Sequence, residues 1–316
     1  MSPRDVCARL GWAVGQLSCL ALLVFLGTAA LSGDAAVTLL GDGYDPGQAA
    51  RLRARLQLDD PVWTRFGRWL ADLCRGDLGR SLVGGEPVGT VIAHAAAPTL
   101  VLAGATLLVV VPLAGTLGFA AGVREGSALD RVLTTVTVAL YAVPDFVVAL
   151  LVVALVSVRL RLLPPTALGA DGATLLTRPE LLVLPVLVLC CQSTSSLSRQ
   201  VRAGALDALG TGYVAQAVRL GLPRWRVLLR HVAPNAVAPA VQSTARVISS
   251  LVGGVLVVEV VFAVPGLASE LISAVAARDV PTVQGITLVL GAAVLLVNLA
   301  ADLVVARVVP RARERA

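Results

Sequence analysis

Long apolar stretches alternate with short polar segments along most of this chain. Because each helical residue rises about 1.5 Å and the hydrocarbon core of a bilayer is about 30 Å thick, a spanning helix needs about 20 apolar residues. Six stretches reach about this length, and the pattern predicts an all-α, polytopic membrane protein with about six transmembrane helices. The stretches are 10–32, a span within 98–123, 132–158, 181–197, 236–262 and 283–305.

The first stretch also has features of a secretory signal peptide, because Arg4 and Arg9 precede it and an alanine-rich sequence follows. A cleaved signal peptide has an apolar core of only about 7–15 residues. This stretch is longer, which favours a transmembrane helix that is retained in the protein.

The charge pattern predicts the orientation in the membrane. All 26 basic residues are arginine, and the net charge is +6. With the N-terminus in the cytoplasm, the short inside segments contain 14 arginines and the two short outside loops contain four. Because cytoplasmic loops are enriched in basic residues, we expect a multi-pass protein of the plasma or inner membrane with both termini in the cytoplasm. With 57% hydrophobic residues, the chain is expected to contact membrane lipid rather than nucleic acid.

This topology divides the chain into an N-terminal segment with the first helix (1–32), an extracytoplasmic loop (33–97), a core of five helices (98–307) and a cytoplasmic tail (308–316). Within the extracytoplasmic loop, Asp45–Pro46 and Asp60–Pro61 each begin a predicted helix, and the second places Trp63, Phe66 and Trp69 at helical spacing. We predict a small helical subdomain there. Docking of a partner and passive packing at the membrane interface are both open.

The longest inside loop, 199–234, contains residues typical of helix starts and ends, which predict two short helices joined at a sharp corner. Thr211 is positioned to cap a helix over 212–220, and Gly221 suits the left-handed residue that follows such a helix. Pro223 suits the first turn of a second helix, which Pro234 is predicted to close.

One face of the first of these helices combines Tyr213, Ala217 and Leu220. The small residues Ala217 and Gly221 would let the backbone of a partner approach closely. The alternative is an amphipathic helix pair at the membrane surface, held by contacts between arginine and lipid.

Short motifs occur in order along nearly the whole chain. They are Asp59-Asp60-Pro61-Val62-Trp63, Arg75-Gly76-Asp77-Leu78-Gly79-Arg80-Ser81, Leu163-Pro164-Pro165-Thr166, Gly212-Tyr213-Val214 with Ala217 and Gly221-Leu222, Trp225-Arg226-Val227-Leu228-Leu229-Arg230-His231, Asn235-Ala236, Val258-Glu259-Val260-Val261-Phe262, Pro265-Gly266-Leu267, and Ala277-Arg278-Asp279 with Pro281 and Val283-Gln284-Gly285. Together they resemble the permeases of ABC importers, in which the segment around 212–231 is the cytoplasmic EAA loop. More narrowly, they resemble the B-type permeases of dipeptide, oligopeptide and nickel importers.

The resemblance implies a permease subunit that forms the substrate pathway of an ATP-driven importer. Di- or oligopeptides are the expected substrates, and nickel import is the alternative within the family. The implied partners are a second permease subunit in a heterodimer, two cytoplasmic ATPase subunits or domains, and an extracytoplasmic substrate-binding protein. The residues expected to couple to the ATPase are Tyr213, Ala217, Gly221, Leu222, Trp225 and Arg226.

Two positions depart from the family pattern. The family usually has an acidic residue where Gly212 stands, and the Glu-Ala of the broader motif falls on Ala215 and Gln216. The acidic anchor to the ATPase is therefore missing. The second departure is Asp145, which follows Pro144 in the third stretch, where the family has a small polar residue.

Charged residues within the predicted spans are further candidates for the site. A charge at the bilayer centre costs at least roughly 2.5–3.5 kcal/mol, so such residues are expected to face the pathway or a partner. Glu259 is near the outer end of its span, where a role in packing is favoured over substrate contact. For the deeper residues Asp145 and Arg246, pathway lining and mutual pairing are both open.

Two other classes of function compete with this interpretation. A secondary transporter driven by an ion gradient would favour matching Gly/Pro-broken segments in two halves, and the sequence shows no clear internal repeat. A membrane enzyme is disfavoured because the two histidines, His94 and His231, fall on opposite sides of the membrane. The sequence contains no GxxxxGK[ST] phosphate loop, so ATP hydrolysis is assigned to a partner chain, and no metal or cofactor is expected.

Overall fold

The computed structural model describes residues 3–31, 47 and 59–308, with side chains for 11–30, 47, 59–236, 247–248, 251 and 253–300. Regular structure in this part of the chain is helical, apart from one isolated bridge between Arg80 and Pro87. The α-helices are α1 (Pro3–Leu31), α2 (Val62–Cys74), α3 (Val88–Val123), α4 (Ala128–Ala142), α5 (Asp145–Val152), α6 (Gly172–Thr177), α7 (Glu180–Leu209), α8 (Gly212–Arg219), α9 (Arg224–Val227), α10 (Ala233–Val261), α11 (Leu267–Ala276) and α12 (Val280–Val308). Two π-helical segments, Val153–Arg159 and Leu228–Val232, follow α5 and α9.

The helices confirm the predicted all-α, polytopic membrane architecture. Within the described residues, four helices are long and apolar enough to cross a membrane, and they contain Gly11–Ala30, Val88–Val123, Glu180–Leu209 and Val280–Ala300. The pair α4 and α5 forms a fifth candidate if its two bent parts make one span. The remaining predicted span corresponds to α10.

The third predicted span is broken where the sequence indicated an interruption. The axis of Asp145–Arg159, which is α5 with the π-helical segment that follows it, makes an angle of 98° with the axis of α4. Val143 has an extended backbone because the ring of Pro144 disfavours a helical conformation at the preceding residue, and Pro144 itself has ψ 142°. The break leaves Asp145 as the first residue of α5.

The chain forms two compact units, one of residues 1–97 with 265–295 and one of residues 98–264 with 296–316. In the first unit, α2 packs against α1 through aromatic rings. The ring centroid of Phe25 lies 5.2 Å from that of Phe66 and 5.5 Å from that of Trp69. The second helix predicted within residues 33–97 is thereby confirmed, whereas the first, from Asp45–Pro46, lies outside the described residues.

A buried carboxylate joins two distant motifs of the first unit. Asp279 accepts hydrogen bonds from the Ser81 hydroxyl at 2.5 Å, the Leu82 amide at 3.0 Å and the Thr282 hydroxyl at 2.8 Å. The loop that contains Ser81 closes where the Val88 amide donates to the Gly79 carbonyl at 3.0 Å. Asp279 therefore fixes this loop to the start of α12.

The second unit is built around α7, which packs against α4, α5 and α10. Helix α3 approaches α7 closely at two glycines spaced four residues apart. A Cβ atom at Gly118 would lie 2.3 Å from the Ser198 carbonyl oxygen, and one at Gly122 would lie 2.7 Å from the Ala205 Cβ. Small residues at this spacing let membrane helices pack backbone to backbone.

Helix α7 is longer than its apolar stretch, since it continues from the predicted end at 197 to Leu209. Residues 199–209 are therefore helix rather than the start of a loop. Hydropathy underestimates this length because it detects only the part of a helix that suits lipid, whereas the polar residues here line a cavity or pair within the unit.

Residues 160–179, between the first π-helical segment and α7, are held by hydrogen bonds to α10 and within the segment itself. The Ala167 amide donates to the Phe262 carbonyl at 2.7 Å, which ties this segment to the end of α10. Asp171 caps α6 by accepting from the Thr174 hydroxyl at 2.5 Å and from its amide at 2.8 Å. These hydrogen bonds hold the pKa of the Asp171 carboxyl below its usual value.

Candidate functional site

The segment from Thr211 to Val232, which we term the α8–α9 corner, turns at a glycine. Helix α8 ends in a Schellman motif, in which the Leu222 amide donates to the Ala217 carbonyl at 3.2 Å and the Gly221 amide donates to the Val218 carbonyl at 3.0 Å. Gly221 has φ +74°, which only glycine adopts without strain. The predicted left-handed residue is thereby confirmed.

Two predicted boundaries of the corner need correction. Thr211 occupies the N-cap position, but its hydroxyl donates back to the Ala208 carbonyl at 2.6 Å instead of accepting from an α8 amide. Pro234 does not close a helix, because the chain continues from α9 through the π-helical segment into α10. The proline lies in the first turn of α10, directly after the π-helical segment.

The corner has one buried face and one exposed face. Val214 and Ala217 are buried in a cluster with Ala208, Val227 and Val232, against which Leu222 also packs. Ala217 thus packs against the chain's own residues and is not open to a partner's backbone. The exposed apolar side chains of the corner are Tyr213, Val218, Leu220, Trp225 and Leu229.

Polar contacts brace the exposed face of the corner. The Tyr213 hydroxyl donates to the His231 carbonyl at 3.3 Å, and the Asn235 amide group donates to the same carbonyl at 2.7 Å. The guanidinium of Arg226 lies 5.4 Å from the centre of the Trp225 ring. These contacts position Tyr213 and Trp225 while leaving both exposed.

The exposed charges of the corner all have the same sign. Arg219, Arg224, Arg226 and Arg230 are exposed, and no acidic residue occurs between positions 208 and 235. Gly212, which stands where the family has an acidic residue, is exposed and has open space around it. The corner is therefore a basic surface with apolar residues interspersed.

A polar cavity of about 370 Å³ lies within the second unit. Helix α7 contributes a stripe of polar side chains that share one helix face because they recur every three or four residues. The lining residues are Tyr141, Asp145, Leu189, Gln192, Ser193, Ser196, Gln200, Val247, Leu251 and Gly254. We refer to this space below as the polar cavity.

Asp145 is the acidic residue of this cavity's described lining. Its Oδ1 atom is buried, and no hydrogen-bond donor of the described structure reaches it. A Cβ atom at Gly254 would lie 3.3 Å from Asp145 Oδ2 and 3.1 Å from Leu189 Cδ2, so Gly254 provides the space for this carboxylate. Arg246 belongs to α10, but its side chain lies outside the described residues.

Glu259 is fully buried near the end of α10. Its Oε1 accepts a hydrogen bond from the Thr99 hydroxyl of α3 at 2.6 Å, and its backbone carbonyl accepts from the Val264 amide at 2.9 Å. These bonds join the end of α10 to α3 and to the following turn.

An ion pair that the sequence pattern does not predict joins Asp130 at the start of α4 to Arg202 on α7. Asp130 is buried and also accepts from the Gly126 amide at 3.0 Å, while its own amide donates to the Ser127 hydroxyl at 3.2 Å. The spacing Ser127-x-x-Asp130 is that of a helix-capping box, so the sequence could have predicted the hydrogen bonds between these two residues and the start of α4. The pairing with Arg202 had no such signal, because 72 residues separate the partners.

Comparison with known proteins identifies the family. The family model described as "Binding-protein-dependent transport system inner membrane component" matches residues 114–314. The chain belongs to this family of transport permeases. The prediction of an ABC importer permease is thereby confirmed, and the match includes the α8–α9 corner and most of the second unit.

Full-length relatives agree with this assignment of the permease. A peptide transport system permease protein of Brucella abortus is 32% identical over 309 residues, covering 96% of this chain and 97% of the relative. A peptide permease protein of Brucella suis is 34% identical over 309 residues, with the same coverage. The dipeptide transport system permease protein DppB of Escherichia coli is 28% identical over 331 residues, covering 97% of this chain and 98% of DppB.

Membership of this family makes the chain a transport subunit rather than an enzyme. A permease of an ABC importer works with an ATPase, which is a separate subunit, and with a substrate-binding protein. The chain is thus a multi-pass membrane component. The ATPase supplies the energy for transport, and the substrate-binding protein is the first to contact the substrate.

Proposed function

We propose that this permease carries di- or oligopeptides and that its α8–α9 corner docks on the ATPase. The relatives named above support the substrate class, because each is named as a peptide or dipeptide permease and is matched over nearly its whole length. We also propose that a second, different permease subunit completes the pathway and that both termini are cytoplasmic.

The observation that carries the docking proposal is the exposed apolar face of the corner. Leu220 is 71% exposed and Trp225 is 61% exposed, although neighbouring Val214, Ala217 and Val227 are buried. Exposed apolar residues grouped with polar ones mark interaction sites. Buried Ala217 would contribute by holding α8 against the cluster, while Tyr213, Trp225 and Arg226 would make the contacts with the ATPase.

The charge of the corner constrains the partner surface. Four exposed arginines with no acid between them complement an acidic cleft, and like charge would oppose docking. We therefore expect the cleft of the ATPase that receives Trp225 to be surrounded by acidic side chains. Association through exposed charges is screened by salt, so docking should weaken as the ionic strength rises.

Copurification of the ATPase tests this proposal. Leu220→Asp should reduce the amount of ATPase retained on tagged permease by about tenfold or more, which corresponds to about 1.4 kcal/mol. Leu168→Asp is the matched control, since Leu168 is 83% exposed in the segment before α6, which we place on the outer side. Equal retention in both variants would refute docking at the corner.

A further inference from the structure

The polar cavity combines a single type of charge with many hydrogen-bond acceptors. Its described lining contains the carboxylate of Asp145, the amides of Gln192 and Gln200, and the hydroxyls of Ser193 and Ser196, with no basic residue among them. Apolar Leu189, Val247 and Leu251 complete the wall. Such a lining favours a ligand that donates hydrogen bonds and bears positive charge.

One carboxylate oxygen of Asp145 is buried beside this cavity. A carboxylate in a membrane protein interior is costly unless a charge or donors compensate it. Here Oδ1 is buried and has no donor among the described residues. The first turn of α5 and the space left by Gly254 position the carboxylate beside the cavity, where a bound cation could reach it.

We propose that Asp145 binds the ammonium group of the transported peptide within the polar cavity, an inference that rests on the proposed peptide substrate. An ammonium group has three donors and no acceptor, so it can reach Asp145 Oδ1 and two further acceptors on the α7 stripe. Both an N-terminal ammonium and a lysine side chain supply this chemistry. Asp145 would act here as a binding residue of the permease itself, in addition to the selection made by the binding protein.

The size of the cavity limits what it holds. Small-molecule sites have volumes of about 300–1,000 Å³, and about 370 Å³ is near the lower limit. The cavity therefore suits one end of a peptide or a dipeptide rather than a long chain.

A cysteine reporter measures the charge of the cavity without requiring transport. Ser196→Cys would be placed in a variant whose five cysteines are replaced by alanine, and the permease purified with its ATPase in detergent. We expect a cationic methanethiosulfonate reagent to label this cysteine about tenfold faster than an anionic one, since one nearby charge has an effect of this order. Asp145→Asn should abolish the preference for the cationic reagent. Glu180→Gln neutralises an exposed acid on α7, the helix that contains the reporter, and should preserve the preference.

Protection of the same cysteine identifies the ligand in the absence of the binding protein. Glycyl-alanine at millimolar concentration should slow labelling by about fivefold or more, and N-acetyl-glycyl-alanine should not. N-acetyl-lysyl-alanine tests whether a side-chain ammonium substitutes for the N-terminal one, and its failure to protect would restrict the site to the N-terminus. A reporter at Thr177→Cys, exposed on α6, should show no protection.

Three results would overturn the proposal. Equal protection by the free and acetylated dipeptides, or protection that survives Asp145→Asn, would show that the carboxylate does not bind the ammonium group. A cation preference that depends on Asp145 without protection by any peptide would also overturn it. In that case the error would lie in the proposed peptide substrate and not in the charge of the cavity.

Discussion

Asp130 and Arg202 form a two-bond ion pair between α4 and α7, in which Nε donates to Oδ1 at 2.7 Å and Nη2 donates to Oδ2 at 2.9 Å. The Gly126 amide and the Thr134 hydroxyl donate to the same carboxylate. Because its oxygens are saturated with donors, the Asp130 side chain has one well-defined position. The pair therefore connects the start of the broken span to the last turns of α7, which lead directly into the α8–α9 corner.

Removing one partner of this pair should destabilise the permease. Breaking a buried pair costs about 3–5 kcal/mol, and we expect the lower end for Asp130→Asn because the Arg202 side chain is 28% exposed. Thermal unfolding of the purified permease in detergent measures this loss. Arg131→Gln, which removes an exposed arginine one residue away, should change the stability by less than about 0.5 kcal/mol, and an equal loss in both variants would contradict the role of the pair.

The close approach of α3 and α7 makes Gly118 intolerant of even one methyl group. Gly118→Ala would place Cβ 2.3 Å from the Ser198 carbonyl oxygen, so the helix backbones must separate. Overpacking costs about 1–3 kcal/mol, and a clash with backbone should be at the upper end. Gly115→Ala on the same helix has open space and should be neutral in the same unfolding assay. Similar stabilities for the two variants would contradict the packing.

The sequence predicted elements that depend on local chemistry. Aromatic residues at helical spacing after Asp60–Pro61 predicted α2, and Gly221 was predicted as the left-handed turn because few other residues adopt that backbone conformation. Pro144 predicted the break between α4 and α5 but not its 98° angle, because the angle depends on how α5 packs against α7 and α10.

The unpredicted features depend on contacts between segments distant in sequence. The pairing of Asp130 with Arg202 joins helices 72 residues apart. The burial of Ala217 depends on how α8 folds against the end of α7 and the segment after α9, which the spacing within α8 does not show. The boundary at Pro234 was wrong because a π-helical segment, Leu228–Val232, joins α9 to α10 across this position, and the sequence pattern gives no sign of it. The polar stripe of α7 is visible in the sequence, but only the structure shows that it faces Asp145 across a cavity.

A β-branched residue at Gly221 should uncouple transport from ATP hydrolysis. The position has φ +74° with open space around it, so Gly221→Val introduces backbone strain rather than a steric clash with neighbours. A β-branched residue in the left-handed conformation costs about 1–2 kcal/mol, which should disorder the turn between α8 and α9. We expect normal membrane insertion but reduced ATP-driven uptake. Gly221→Asn, which tolerates this conformation, should retain most of the uptake, and normal uptake by Gly221→Val would contradict the prediction.

The orientation of the permease can be tested with cysteines at described, exposed positions. In a variant whose five cysteines are replaced by alanine, Val83→Cys in the loop before α3 should react with an impermeant maleimide added to intact cells. Gln216→Cys on α8 should react only after the membrane is permeabilised. This outcome follows from the arginine excess of the segments assigned to the inside. Labelling of Gln216→Cys in intact cells would reverse the predicted orientation.

Charge reversal at Asp145 and Arg246 separates a cavity-lining carboxylate from a structural ion pair. Because Asp145 borders the polar cavity, we expect the double variant Asp145→Arg, Arg246→Asp to yield no more folded permease than the worse single variant. A structural pair would behave differently, since restoring opposite charges would relieve the cost of leaving one charge unpaired. Size-exclusion chromatography in detergent measures the folded yield.

The same cycle at Asp130 and Arg202 is the positive control, in which the folded yield of the double variant should exceed that of the worse single variant. Recovery at positions 145 and 246 to the same extent would show that Asp145 is bound by Arg246 and is not available to an ammonium ligand.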